Sequence, residues 1–241
     1  MSSIIGASAI WSISQQVVKK IFNVKLAHCK KIKEIWPRYV TLDEDNRFKS
    51  EKWKDKYVGK RIVFHDNTGL HIKHPVDSLL QRITYSSYYG GNVLKAGVHV
   101  QPCGWMGCYE AFPGAISCTE YFEKCGCLEE QQIFQSTDGN IPFINILDRG
   151  YRSTQAAWKR GQFVLQPVFI LSDKKFSTKD CLRAAEIAAD RSGNERAVWR
   201  SKHCNYLKYG VNKLNSAEVN RLCDVWLCHG FQSNFMYKSN M

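Results

Sequence analysis

Pro142-Phe-Ile-Asn-Ile-Leu147 runs straight into Asp148-Arg-Gly150. A continuous apolar run of this length, without alternation, is the signature of a strand covered on both faces. Such strands sit in sheets with helices on either side. Downstream, Phe163–Phe169 is a second strand candidate. Ser177–Tyr209 is long, Ala-rich and helical, with Ser177 or Thr178 at the N-cap and Gly210 as a stop. Upstream, Leu128–Phe134 and Thr119–Cys125 read as helices. Trp105–Phe112 and Val93–Val100 read as strands parted by Pro102-Cys-Gly104. Further back, Arg61–His65 is an apolar run. Asp66-Asn-Thr-Gly69 supplies turn residues and Leu70–Lys73 alternates, which predicts a hairpin. Strands first, then strands alternating with helices, predict an α/β domain on a mixed sheet. The sequence has no internal repeat and no low-complexity tract.

The front of the chain differs. Of the 34 Lys+Arg residues, 13 lie in residues 1–60, against 6 of the 22 Asp+Glu, so most of the +12 net charge sits in the first quarter. Ser14–Ile35 sets Val17, Val18, Ile21, Phe22, Val24, Leu26, Ile32 and Ile35 among lysines, at the spacing of an amphipathic helix. Pro37 ends it. Asp43–Lys60 has few large apolar residues and reads as a linker or an exposed helix. The expected division is a basic helical segment and linker over 1–60, then one domain over 61–241.

At 241 residues, with 44% hydrophobic and 12% aromatic residues, the chain can bury a core, which excludes global disorder. It has no apolar stretch long enough for a membrane span. Met1–Trp11 lacks a basic leading region, so a secretory signal is not expected. A strongly basic balance suits a polyanionic partner, and equally suits a merely soluble surface. Ten cysteines without a secretory signal read as reduced thiols. Cys103, Cys108, Cys118, Cys125 and Cys127 remain an alternative structural metal group, although no pair has the strongest zinc spacing.

Two acids stand at the ends of apolar strand candidates: Asp66 and Asp148. A third, Glu195, lies on the late helix among Arg191, Arg196 and Arg200. Strand ends are where an α/β sheet presents its ligands. Three carboxylates brought together need a cation, and Mg²⁺ takes hard oxygen donors. Two such ions form the clamp for in-line phosphoryl transfer. Each acid also has a plainer role: Asp66 as the start of a turn, Asp148 as a strand stop, and Glu195 as the partner of Ser192 where a helix restarts after Gly193. Spacing alone does not join the three.

A resemblance does. Asp66-Asn-Thr-Gly69 with Leu70-His-Ile-Lys-His-Pro75, Thr84-Tyr-Ser-Ser-Tyr-Tyr89 with Lys95, and Pro113-Gly-Ala-Ile-Ser-Cys118 follow a family order. Asp148-Arg-Gly-Tyr151, Gln166-Pro-Val-Phe169, Lys175-Phe-Ser177, Ile187-Ala188 and Asn194-Glu-Arg-Ala-Val198 continue it. The run Arg61–Gly210 resembles the catalytic domain of PIF/Harbinger-type transposases, of the DDE endonuclease superfamily. The likeness extends back to Val17–Phe22 and Trp36-Pro37.

The resemblance implies an RNase H-like mixed sheet flanked by helices, preceded by a small helical segment that is the remnant of a helix-turn-helix region. It implies a metal-dependent DNA endonuclease and strand-transfer activity, with Asp66, Asp148 and Glu195 holding Mg²⁺ or Mn²⁺, two ions in all. It further implies DNA as substrate, a homodimer or a separate DNA-binding partner protein, no membrane, and a place in the nucleus. Lys19, Lys20, Lys30, Lys31 and Lys33, with Arg149, Arg196 and Arg200, are the candidate phosphate contacts. Tyr85, Tyr88 and Tyr89 suit base stacking or packing, and His65 and His71 suit acid–base assistance. Three positions depart from the family: Asn67 for Gly, Gly69 for Glu and Cys118 for Asp. They support the alternative of a catalytically silent DNA-binding or protein-interaction module.

Overall fold

The computed structural model describes residues 36–49, 51–57, 59–151, 155–167, 177–204, 207 and 216–236, with scattered positions between 16 and 34. Those scattered positions are all helical and exposed, Lys20 and Lys31 among them. The central element is a mixed sheet with helices on both faces.

Asp43–Lys60 carries two short helices, α1 (Leu42–Phe48) and α2 (Glu51–Lys56). Thr41 caps α1, its hydroxyl accepting from the Glu44 N–H while Glu44 returns a bond to the cap. Neither helix is a solvated linker. Asp45 and Lys49 are buried and pair at 3.1 Å, and Trp53 and Tyr57 pack with Phe64.

β1 (Arg61–His71) is the sheet's middle strand and runs unbroken through Asp66-Asn-Thr-Gly69. The expected hairpin is absent. β3 (Gly91–Val100) lies antiparallel to β1 with continuous register from Phe64↔Val100 to His71↔Val93. The continuous ladder with β3, which pairs all four residues, outweighs their turn preference. Between these strands come α3 (Ser78–Thr84), capped by Asp77, and β2 (Tyr85–Ser86).

The outer edge of β3 is shared end to end by three short strands: β2, β5 (Phe112–Pro113) and β4 (Met106–Cys108). The expected strand Trp105–Phe112 is thus split. At the break, Tyr109 donates its N–H to the Gly97 carbonyl and its own carbonyl accepts from the Trp226 indole, both at 2.9 Å.

α4 (Cys118–Lys124) and α5 (Cys127–Thr137) lead to β6 (Phe143–Ile146), parallel to β1. α6 (Gln155–Trp158) then leads to β7 (Phe163–Leu165), parallel to β6. The sheet order is β2-β3-β1-β6-β7. α7 (Thr178–Lys202) and α8 (Ser216–Met236) complete the described fold. α7 is one helix through Gly193, so Ser192 is no restart. Its cap is Ser177, in a reciprocal pair with Asp180, and it ends at Lys202; the expected stop Gly210 lies outside the described residues.

Strand alternation divides the core. Ile62, Phe64 and Ile146 face α2 and α7 with Ile187, and Leu70 and Val98 meet Ala197 and Trp226. The alternate residues face the other way: Val63 and Phe143 meet Phe134, and Leu147 meets Leu128. Each fully buried large apolar side chain contributes about 1.5–3 kcal/mol.

Candidate functional site

The β1/β6 register runs from Arg61↔Phe143 to Phe64↔Ile146. Two residues further on, at the carboxyl ends of this parallel pair, stand Asp66 and Asp148. Strand alternation puts both on the α7 side, with Phe64 and Ile146. Each carboxylate accepts the N–H of the residue that follows it: Asn67 to Asp66 at 2.8 Å, Arg149 to Asp148 at 2.7 Å.

α7 supplies the facing residues. Ile187, Arg191 and Glu195 recur every four positions, so they share one side of the helix. Ile187 packs with Phe64 and Ile146. One turn later, Arg191 Nη1 donates to Asp148 Oδ1 at 2.9 Å. One turn beyond that stands Glu195, which is exposed. The helix is pinned beside Arg191 by the buried Asp190, which accepts from Lys56 at 2.6 Å and from the Tyr57 hydroxyl at 2.8 Å. Near the end of α7, Lys202 donates to the Thr68 hydroxyl and the Gly69 carbonyl at 3.2 and 3.0 Å.

The Asp66 carboxyl is raised above the ordinary aspartate range, chiefly by burial. The Asn67 N–H and the Arg191 charge oppose the rise, while the Asp148 and Glu195 charges add to it. The charges of Asp148, Glu195 and Arg191 are thus felt at Asp66, and the direct side-chain contact among the four is the Arg191–Asp148 pair. The pocket at Asp66 is walled by Tyr109, Tyr121, Phe122 and Tyr151, which accounts for its weak hydration.

Two further residues border the acids. Tyr89 lies against β1, where a Cβ on Gly69 would come within 3.0 Å of its ring. Burial is the main cause that pushes its hydroxyl up to about 12, with the Tyr88, Asp66 and Cys118 charges adding. Cys118 sits beside the Asp148-Arg-Gly turn: a Cβ on Gly150 would lie 3.5 Å from its Sγ. Ser117 caps α4 there, accepting from Glu120. The Tyr151 hydroxyl is likewise raised, first by burial and then by Asp66 and Cys118.

The remaining candidates are dispersed. His65 is buried on the opposite side of the sheet, held by Asn145 at 2.7 Å, and burial keeps it neutral with a pKa of about 4. It lines the same small pocket as Asp66, with Tyr121 and Phe122. His71 is exposed, edge-on to Tyr89. Tyr88 is 86% exposed, so its ring is not packed surface. Arg149 and Arg196 are exposed. Arg200 lines a groove of about 260 Å³ with Glu44, Phe48, Trp105 and Asn234. Lys19, Lys30 and Lys33 lie outside the described residues.

Sequence reasoning missed Arg191 and Tyr89 as neighbours of the acids, and Lys202 as the partner of Thr68 and Gly69 on the same strand as Asp66. The four-residue step from Arg191 to Glu195 was the available signal for the first. The other two depend on tertiary placement.

The donor set fits a divalent cation in type, because carboxylate oxygens are hard ligands. It also fits in charge, since three carboxylates against one guanidinium leave two negative charges. Among the described residues, no three His, Cys, Asp or Glu side chains form a ready-made metal group. The contact present is the Arg191–Asp148 ion pair at 2.9 Å. The nine described cysteines carry free thiols. No described helix is long and apolar enough to cross a membrane. No family model matches the chain, and no curated protein matches it either.

Proposed function

We propose that the chain is a metal-dependent DNA endonuclease and strand-transfer domain of the PIF/Harbinger transposase type, built on an RNase H-like sheet. The observation that carries the reading is that Asp66 and Asp148 each stand two residues past the Phe64↔Ile146 pairing of the parallel strands β1 and β6, with Arg191 of α7 bonded to Asp148 and Glu195 one turn further along the same helix. The strand plan supports it: antiparallel β4, β3 and β1 on one side, parallel β6 and β7 on the other, helices on both faces.

In this reading Asp66, Asp148 and Glu195 hold Mg²⁺ or Mn²⁺. The bound ions supply Lewis-acid activation of the attacking oxygen and charge stabilisation of the leaving one. The chain's own residues do the rest. The aromatic wall of Tyr109, Tyr121 and Tyr151 limits water at Asp66, which strengthens every charge interaction there. Exposed Arg149 and Arg196 flank Asp148 and Glu195 in sequence and meet the DNA phosphates. Asp190 fixes the height of α7 and so the reach of Glu195. The nucleophile is water, then a freed 3′-hydroxyl. Such an enzyme works in the nucleus, as a homodimer or beside a separate DNA-binding protein.

Nicking of supercoiled plasmid with Mn²⁺ or Mg²⁺ tests this. Asp148→Asn is expected to lower nicking by at least about 100-fold, on the scale of losing one stabilising group in a transition state. Equal nicking by wild type and Asp148→Asn marks a contaminant and overturns the assignment. One observation favours a second reading, the silent module: the Tyr89 ring occupies the space beside Gly69 where the family carries a glutamate. Salt-sensitive DNA binding without any nicking is its expected result.

A further inference from the structure

The strongest unexplained feature of the carboxylate cluster is the arginine inside it. Arg191 Nη1 is bonded to Asp148 Oδ1, which also accepts the Arg149 N–H. The Arg191 side chain is only 19% exposed, and its Nε is buried without a partner. A buried donor left unpaired is costly, so this placement is only partly satisfied. The helix backbone beside it is fixed, because Asp190 is tied to Lys56 and Tyr57 on α2. The guanidinium can leave Asp148 by side-chain rotation alone.

Arginine supplies one positive charge to Asp148 and adds to the field at Asp66. A divalent cation supplies two and competes with Arg191 for the Asp148 carboxylate. We propose that Arg191 is a resident counter-ion that keeps the cluster intact without metal and is displaced from Asp148 when a divalent cation binds. It is a positioning residue, and the inference rests on the metal-dependent reading above. The consequence is that metal binding carries a penalty set by the Arg191–Asp148 pair, so the metal-free chain is stable and the loaded state forms only at sufficient cation concentration.

The test is Mn²⁺ binding to the full chain, followed by electron paramagnetic resonance of free Mn²⁺, with thermal melting as a second readout. Arg191→Gln is expected to bind Mn²⁺ roughly three- to tenfold more tightly than wild type, as removal of a partly exposed ion pair implies. It is also expected to melt lower than wild type in chelator, and to regain most of that difference at saturating Mn²⁺. Arg191→Lys, which keeps one charge without the planar fork, is expected to fall between the two, and serves if the Gln variant does not fold. Unchanged or weaker Mn²⁺ affinity in both variants, with wild-type binding abolished by Asp66→Asn, overturns this inference and leaves the metal reading standing. If neither wild type nor the variants bind Mn²⁺ at a site sensitive to Asp66→Asn, both fall.

Discussion

Gly69 shows how one residue's size can be set by a neighbouring ring. Its backbone is ordinary strand, so the glycine is there for space. A Cβ would meet the Tyr89 ring at 3.0 Å in a contact that real side chains rarely show. Gly69→Glu, which restores the residue of the resembled family, is expected to cost about 1–3 kcal/mol by overpacking. Tyr89→Ala in the same chain should recover much of that loss, because the two positions share one space. Urea unfolding of the two single variants and the double variant gives the coupling, and a coupling near zero would show that Tyr89 does not fill the missing side chain's place. The departures at Gly69 and Cys118 were legible in the sequence. That Tyr89 closes over the first was not, because 20 residues separate them and only the β1/β3 pairing brings them together.

At the scale of elements, α7 does most to assemble the site. It carries Ile187 into the core, Arg191 to Asp148, Glu195 towards Asp66 and Lys202 to Gly69. Its start is fixed by Ser177, whose hydroxyl accepts from the Asp180 N–H at 3.1 Å while Asp180 returns a bond. Ser177→Ala should cost about 1 kcal/mol in urea unfolding. Asp190→Ala should cost more, about 3 kcal/mol, because it strands a buried tyrosine hydroxyl and a lysine. If Asp190→Ala is no worse than the cap variant, the α2–α7 tie is not what fixes the helix. The helix and its cap could be read from Ala-rich periodicity and a Ser-Thr-Lys-Asp start. That the sheet is mixed and flanked by helices could be anticipated too. The hairpin at Asp66–Gly69 was the misreading, because turn-forming residues say nothing about a partner strand 30 positions away that pairs with all of them.

For the whole molecule, acid should be destabilising. His65 and His99 are buried and neutral, held below their ordinary pKa mainly by desolvation, His65 at about 4. Above about pH 6.5 the folded and unfolded chains both carry neutral imidazoles, and the full stability is present. Below that, the unfolded chain takes up protons that the folded core refuses, so stability falls as pH drops towards 4. Asp66 and Glu130, raised in the fold, contribute the opposite slope, against three lowered histidines, His229 being the third, and two lowered acids, Glu44 and Asp180. The urea midpoint should therefore be lower at pH 5 than at pH 7.5, and His65→Gln should reduce the difference. A midpoint that holds steady or rises on acidification contradicts the buried pair. DNA binding should depend on salt in the same global way. Lys20 and Lys31 are helical and exposed, and reversing both charges should flatten the log–log salt slope by about 1.8 if each meets a phosphate. An unchanged slope would mean that this face only meets solvent. The basic front was plain from composition, whereas the burial of two histidines was not, because a histidine inside an apolar strand looks the same whether it faces core or cleft.

The three short strands along the outer edge of β3 carry a consequence for self-association. A long open strand invites another chain to extend the sheet, which is a common start of aggregation. Among the described residues, every outermost strand is two or three residues long: β2, β4 and β5 on one border, β7 on the other. β3 is interior over its length, and β1 is interior over Arg61–Phe64; beyond that α7 lies beside it, with Lys202 donating to the Gly69 carbonyl. Among the described residues, the outermost strands thus offer a visiting chain short runs of backbone groups, which disfavours sheet extension along them.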